Sequence, residues 1–430
     1  MYTSTQHLAV AFLAIGSVAA APAARDHHAE QPLTSSIRNV QVGPRPFWLI
    51  DNMDEGPLKE KLQSCQENTL KTTQFAISHR GAPLMFPEHS KEGYDAAARM
   101  GAGIIECDVS FTSDRELVCR HSNCDLHYTT NVLSKPELAA KCTKPFVPYN
   151  NVTGENASAK CCTSDFTLAE FKSLCAEMEA TTLHAMNITS AAPYFGRIGT
   201  TPDWRTNLYA YECATPVSLK EQIAQVQAYG LNFTAELKTP EVKMPFQGNY
   251  TQQIYAQQLI DTFKELNISP DRVWLQSFLA DDIFQWIDTE PEFARQAVYL
   301  DERADKTPEG YQEAVASLPG LAARGVKIIA PSIYQLITAD NCTDTIVPSS
   351  YAIAAQKAGL EIITWSFERS GPFSIEDGGY YYSSVKNLIA TRVLKNEFTV
   401  LDVIAQQVKA TKVFSDWVGT ATYYGNCFGL

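Results

Sequence analysis

The 430 residues, 45% of them hydrophobic, can bury a large core, arranged as one big α/β domain or two to three smaller ones. A formal charge of −13 argues against nonspecific nucleic-acid binding, which needs clustered Lys and Arg to neutralise phosphates.

In chain order, the first element is "LAVAFLAIGSVAA", Leu8 to Ala20. It is an uncharged apolar run followed by small residues, too short for a membrane span, and reads as a signal peptide covering residues 1–21. Residues 22–74 read as a leader and N-terminal segment, with His27-His28 in a solvated tail. No later stretch predicts a membrane span, and the terminal "ATYYGNCFGL" lacks a lipid-anchor tail. All 11 cysteines follow the expected cleavage point, as suits an oxidising compartment. Sequons at Asn151, Asn156, Asn187, Asn232, Asn249, Asn267 and Asn341 agree with a secreted glycoprotein, extracellular or cell-wall associated. Cys107 lies in a strand between Glu106 and Asp108, facing away from both, and is the expected unpaired thiol. The other ten allow up to five bridges, whose connectivity the sequence leaves open.

From Phe75 onward helix and strand patterns alternate. "SKEGYDAAARMG" predicts a helix with Ser90 as N-cap and Gly101 at its end. Helices are also expected at "SLKEQIAQVQAYG", "YTQQIYAQQLIDTFKEL", "DDIFQWI", "YQEAVASLPGLAARG", "SSYAIAAQKAGL", "VKNLIATRVLK" and "LDVIAQQVKA". The main strands begin at Phe75, Gly103, Phe233, Val273, Ala297, Lys327, Glu361 and Lys412, with an extra strand, "ELVCRH", after the second. Eight such units are the number that closes a TIM (β/α)8 barrel, favoured here over a doubly wound open sheet, within a domain spanning 75–430. Residues 123–215 break the pattern into Cys-, Pro-, Asn- and Ser-rich sequence with one clear helix, "TLAEFKSLCAE". A structureless loop of that length inside a domain is implausible, so it reads as a cysteine-rich, disulfide-stapled insertion after the second strand.

Chemistry concentrates at strand ends. Residues i and i+2 of a strand share a face, so Glu106 and Asp108 project together, as do Glu236 and Lys238 in "AELKTP". Three carboxylates without Cys or His at zinc spacing suit one hard divalent cation, Ca²⁺ or Mg²⁺. His79 ends the first strand and His121 the extra one. Two imidazoles beside a metal can divide proton transfer between the attacking and the leaving oxygen. Arg80 is a bidentate anion binder and Lys238 a second positive point, which together describe a phosphate site.

"HRG" at His79, "PEHS" at Pro87, "GAGIIECDVSFTSD", "VCRHS", "AELK", "LQSF", "TWSF" and "VFSDW", in this order, resemble the glycerophosphodiester phosphodiesterase family. The resemblance implies a TIM barrel with an insertion after the second strand. It implies metal ligands at Glu106, Asp108 and Glu236, acid/base histidines at His79 and His121, and phosphate contacts at Arg80 and Lys238. It also implies that Trp365 lines the substrate site. The chain departs from the family with Ser122 where Asp is usual, "TSDRE" for "TxDG", "PEHS" for "PEN", and Ser415-Asp416-Trp417-Val418 for "TDxP". The function implied is metal-dependent hydrolysis of a glycerophosphodiester to glycerol phosphate and an alcohol, with water or the substrate's own hydroxyl attacking. The alternatives are a phospholipase D-like lyase that releases a cyclic phosphate from lysophospholipid or sphingolipid, and a non-catalytic cysteine-rich surface protein.

Overall fold

Eight parallel strands close on themselves: Thr73–Ser78, Ala102–Phe111, Asn232–Leu237, Val273–Ser277, Val298–Asp301, Ile328–Pro331, Glu361–Phe367 and Lys412–Ser415. The first pairs with both the second and the eighth, which completes a TIM barrel. This computed structural model describes residues 37, 39–179, 183–186, 201–206, 209–210, 213–340, 342–375 and 377–430. The apolar run Leu8–Ala20, the His27-His28 pair and the sequons at Asn187 and Asn341 lie outside the described residues.

The expected helices cover the barrel, and their starts follow local chemistry. Ser90 Oγ accepts from the Gly93 N–H at 3.1 Å to open Lys91–Arg99, and Ser218 forms a reciprocal capping box with Glu221 to open Leu219–Ala228. Thr251 and Ser349 cap Gln252–Glu265 and Ser350–Lys357 in the same way. Gly101, just past the first of these helices, has φ +92°, and a Cβ there would lie 2.5 Å from Thr422 Cγ2. Only glycine fits that crossing.

Late in the chain the elements differ from the expected ones. The helix expected over "VKNLIATRVLK" stops at Ala390, and the backbone turns left-handed at Arg392, φ 59°. The last expected helix begins earlier, at Glu397, capped by the Asn396 side chain, and ends in a π-helical turn at Val403–Gln407.

Among the described residues, the helices longer than one turn that carry no sequence expectation are Arg45–Asp51, Pro57–Gln63 and the C-terminal Val418–Phe428. The last contains Gly and β-branched residues and is buried along nearly its whole length, so packing and not propensity holds it. Tyr423 Oη donates to the Leu62 carbonyl at 2.7 Å, and a Cys65–Cys427 disulfide joins the N-terminal pair to this helix.

The extra strand is Leu117–Cys119, and its placement is set by register. The first strand accompanies the second only as far as Ile105, which leaves that edge of the second strand's upper half unpaired. Leu117–Cys119 folds back antiparallel onto it, with Cys119 opposite Val109. Cys119 thereby faces outward diagonal to Cys107, and the two form a disulfide. The expectation that Cys107 is the unpaired thiol is therefore wrong. Its outward direction was read correctly, but the hairpin register supplies a partner, and the free cysteine is the exposed Cys342.

The insertion is stapled by Cys124–Cys162, Cys142–Cys161 and Cys175–Cys213 around its own small core of Leu126, Leu133, Phe166 and Phe171. Its one expected helix is the short Leu168–Lys172, opened by a Thr167–Glu170 capping box.

Candidate active site

Along five of the eight strands the inward-facing residues change from apolar toward polar or, at Trp365, amphipathic as the carboxyl end is reached. Ile77 is followed by His79, Ile104 by Glu106 and Asp108, Trp274 by Gln276, Ile363 by Trp365, and Phe414 by Asp416. The apolar members pack together as a plug inside the barrel. The polar ones open into a cavity of about 530 Å³ lined by His79, Arg80, Glu106, His121, Glu236 and Lys238 among others. Carboxyl-end placement of such groups is the general rule for this architecture.

Parallel register sets Asp108 directly beside Glu236, with Glu106 two residues earlier on the same face. Glu106, Asp108 and Glu236 are all buried, and each offers an oxygen within 4.8 Å of the others. Glu106 Oε2 accepts the Arg80 backbone N–H at 2.8 Å, and Oε1 accepts from Gln276 at 3.4 Å. Lys238 Nζ lies 2.6 Å from Glu236. Asp108 Oδ2 meets His89 Nε2 at 2.8 Å and Arg80 Nε at 3.5 Å, whereas its Oδ1 is buried without a protein partner.

The charges are under strain. Burial, then Asp108 and Glu236, hold the Glu106 carboxyl well above its ordinary range. Burial, opposed by Lys238 and aided by Asp108, pushes Glu236 up to about 8. Burial also works against ionised Asp108, but Lys238, His89 and Arg80 hold it well below its ordinary value. A hard divalent cation fits this set: three buried carboxylates each offer an oxygen at close range, and Asp108 keeps one oxygen, Oδ1, buried with no protein partner.

Both histidines face the same cavity. Burial and the neighbouring Arg80 push His79 down to about 4 against the pull of Asp416. Burial, Arg80 and Lys238 lower His121 well below its ordinary value. His79 Nδ1 lies 2.5 Å from Asp416 Oδ1, so the carboxylate fixes the ring and leaves Nε2 toward the cavity, 3.4 Å from Ser366 Oγ. Asp416 is held in turn by Arg369 Nη1 at 3.0 Å, and Arg369 also reaches Glu88 Oε1 at 2.7 Å. Glu88 is bound by Arg80 Nη1 at 3.0 Å, and the insertion's Arg205 approaches it to 3.6 Å.

A family model, the glycerophosphoryl diester phosphodiesterase family, matches residues 79–377, well over half of the chain. The chain belongs to this family.

As a member it is a glycerophosphodiester phosphodiesterase, a phosphoric diester hydrolase. It is 47% identical over 235 residues, 54% of its own length and 93% of the other's, to a protein of Arthroderma benhamiae named "Extracellular protein". It is also 32% identical over 142 residues, 33% of this chain and 34% of the relative, to a glycerophosphodiester phosphodiesterase of Arabidopsis thaliana. The fold is similar to that of a crystal structure from Silicibacter pomeroyi DSS-3, described provisionally as a glycerophosphoryl diester phosphodiesterase. That similarity has TM-score 0.52 at 18% identity, covering 85% of this chain and 98% of that one.

Every site residue expected from the sequence of this phosphodiesterase lies at one mouth. Trp365 lines the cavity, donates Nε1–H to the Ala330 carbonyl at 2.7 Å, and packs near Phe278, Tyr380 and Tyr381. His121 lies just beyond the end of Leu117–Cys119 and not within that strand. Asp416 and Arg369 carry no sequence expectation as partners of the site. Glu88 and His89, in the loop after the first strand, could be read from sequence either as shaping the mouth or as capping the next helix; here they bind Arg80 and Asp108. For Asp416 a signal existed: it sits two residues past Phe414, in step with the inward face of the eighth strand.

Proposed function

We propose that the chain hydrolyses glycerophosphodiesters to glycerol phosphate and an alcohol, with His79 and His121 dividing the proton transfers and Glu106, Asp108 and Glu236 holding one divalent cation, Ca²⁺ or Mg²⁺. The observation that carries this reading is the convergence of the three carboxylates, within 4.8 Å of one another, on a cavity that both histidines line. Bound there, the cation would polarise the phosphoryl oxygens and offset the charge of the attacked phosphate. Arg80 and Lys238 contribute positive charge on the same side, where charge accumulates in the transition state. His79 accepts the proton of the attacking oxygen, because Asp416 stabilises the imidazolium that results. His121 donates to the leaving alkoxide. The phosphate anion itself counters the repulsion from Arg80 and Lys238 that depletes that ring of its proton. Trp365 walls the substrate.

Secretion accompanies this reading, with residues 1–21 removed and the sequons glycosylated. It is supported by five disulfides and by the extracellular name of the Arthroderma relative. Among the described residues no helix is long and apolar enough to cross a membrane. Of the described sequons, Asn151, Asn156, Asn249 and Asn267 are exposed.

The test is turnover of a glycerophosphodiester followed by phosphorus NMR. His79→Ala and Glu106→Ala are each expected to abolish product formation with folding preserved by circular dichroism. Full activity in either variant overturns the assignment. Activity that survives dialysis against EDTA removes the cation from the mechanism, and a cyclic phosphate that never becomes monoester replaces hydrolysis by the lyase reaction.

A further inference from the structure

We propose that His89 is a positioning residue that aims one oxygen of Asp108 at the cation, an inference that rests on the metal site proposed above. His89 is fully buried behind the cavity wall. Its Nε2 lies 2.8 Å from Asp108 Oδ2, and its Nδ1 lies 2.8 Å from Tyr94 Oη. An ionised carboxylate only accepts, so Nε2 carries the hydrogen, and Nδ1 is left to accept from the Tyr94 hydroxyl. One neutral tautomer satisfies both contacts, and the resulting chain Tyr94–His89–Asp108 has a single polarity.

The consequence falls on Asp108. With Oδ2 engaged by His89 and flanked by Arg80 Nε at 3.5 Å, rotation of the carboxylate is blocked. The other oxygen, Oδ1, is buried with no partner from the protein, and Asp108 is one of the three clustered carboxylates, so Oδ1 is the oxygen left free for the cation. A ligand oxygen fixed from behind is already ordered when the cation arrives, so binding loses less freedom.

The backbone supports a task for this side chain. His89 has φ 53° and Arg80 φ 55°, and the His89 N–H donates to the Arg80 carbonyl at 3.0 Å to close the loop between them. Left-handed backbone is uncommon outside Gly, Asn, Asp and His, and at residue 89 it accompanies the turn that brings this ring to Asp108. Tyr94 is fixed independently, on the helix Lys91–Arg99 one turn after its Ser90 cap.

The experiment titrates Mg²⁺ and Ca²⁺ into the metal-stripped chain, without substrate, by calorimetry and by thermal shift. His89→Ala is expected to weaken cation binding about 10- to 100-fold. His89→Gln, whose amide nitrogen reaches nearly the place of Nε2, is expected to recover most of it. Tyr94→Phe, which keeps the imidazole but frees its orientation, is expected to weaken binding a few-fold, and it carries the test if His89→Ala fails to fold. Wild-type affinity in both His89→Ala and Tyr94→Phe overturns the proposal, as does a His89→Gln variant no better than His89→Ala. Absence of binding to the wild-type chain overturns the metal site and this inference with it, an outcome separable from the first because it needs no variant.

Discussion

The lower and upper halves of the barrel interior are built from the same strands yet obey opposite rules. Below, Ile77, Ile104, Trp274, Val298, Ile328, Ile363 and Phe414 form an apolar plug with little solvent access. Two residues further along, the same inward face carries His79, Glu106, Gln276, Trp365 and Asp416. The plug gains free energy from every methylene it buries, whereas the mouth holds carboxylates whose charge burial opposes. On those strands the chain thus gives up at the carboxyl end some of the stability it accumulates at the other; on the strands of Val298 and Ile328 the inward face stays apolar, with Leu300 and Ala330.

Substitutions of one half should therefore move activity and those of the other stability. The largest effect is expected from Asp108→Asn or Glu236→Gln, each lowering kcat/KM by about 10²–10³-fold or more while the fold persists; steady-state kinetics with a glycerophosphodiester checks it. Asp416→Asn removes the carboxylate that supports His79 and should lower kcat by about 10–10²-fold. In the wild type, protonation of His79 removes the proton acceptor, so kcat/KM should fall as pH drops through about 4, and not near the usual histidine range. Ile104→Ala, in the plug, should cost about 2–5 kcal/mol in denaturant unfolding and leave kcat of the folded fraction unchanged. Smallest, and opposite in sign, Glu106→Gln should raise the melting temperature of the metal-free chain, because burial first, and then Asp108 and Glu236, oppose a charge that the amide never carries. A fall instead would mean that the mouth is not strained.

The two halves also differ in how far they can be read from sequence. Strand alternation is local, so Glu106 and Asp108 could be assigned to one face without knowing the fold, and parallel pairing of the second and third strands then set Glu236 beside them. What stayed hidden depends on pairing between distant segments. Cys107 acquires Cys119 only through the hairpin register, Asp416 meets His79 across the seam between first and eighth strands, and His89 reaches Asp108 only because its loop turns left-handed. The helices Arg45–Asp51 and Val418–Phe428 were illegible for a different reason. Their Pro, Gly and β-branched residues carry weak helix propensity, and each is held by the surface it buries.

The Cys65–Cys427 bond, 362 residues apart in sequence, gives the chain a further property. It turns nearly the whole polypeptide into a covalent ring that contains the barrel, the insertion and the mouth. A protease that cuts once at the exposed turn near Val393, which no other disulfide spans, would open that ring without releasing a fragment, and the two pieces would stay covalently joined until a reductant broke the bond. The chain would in this way survive its first nick as one molecule.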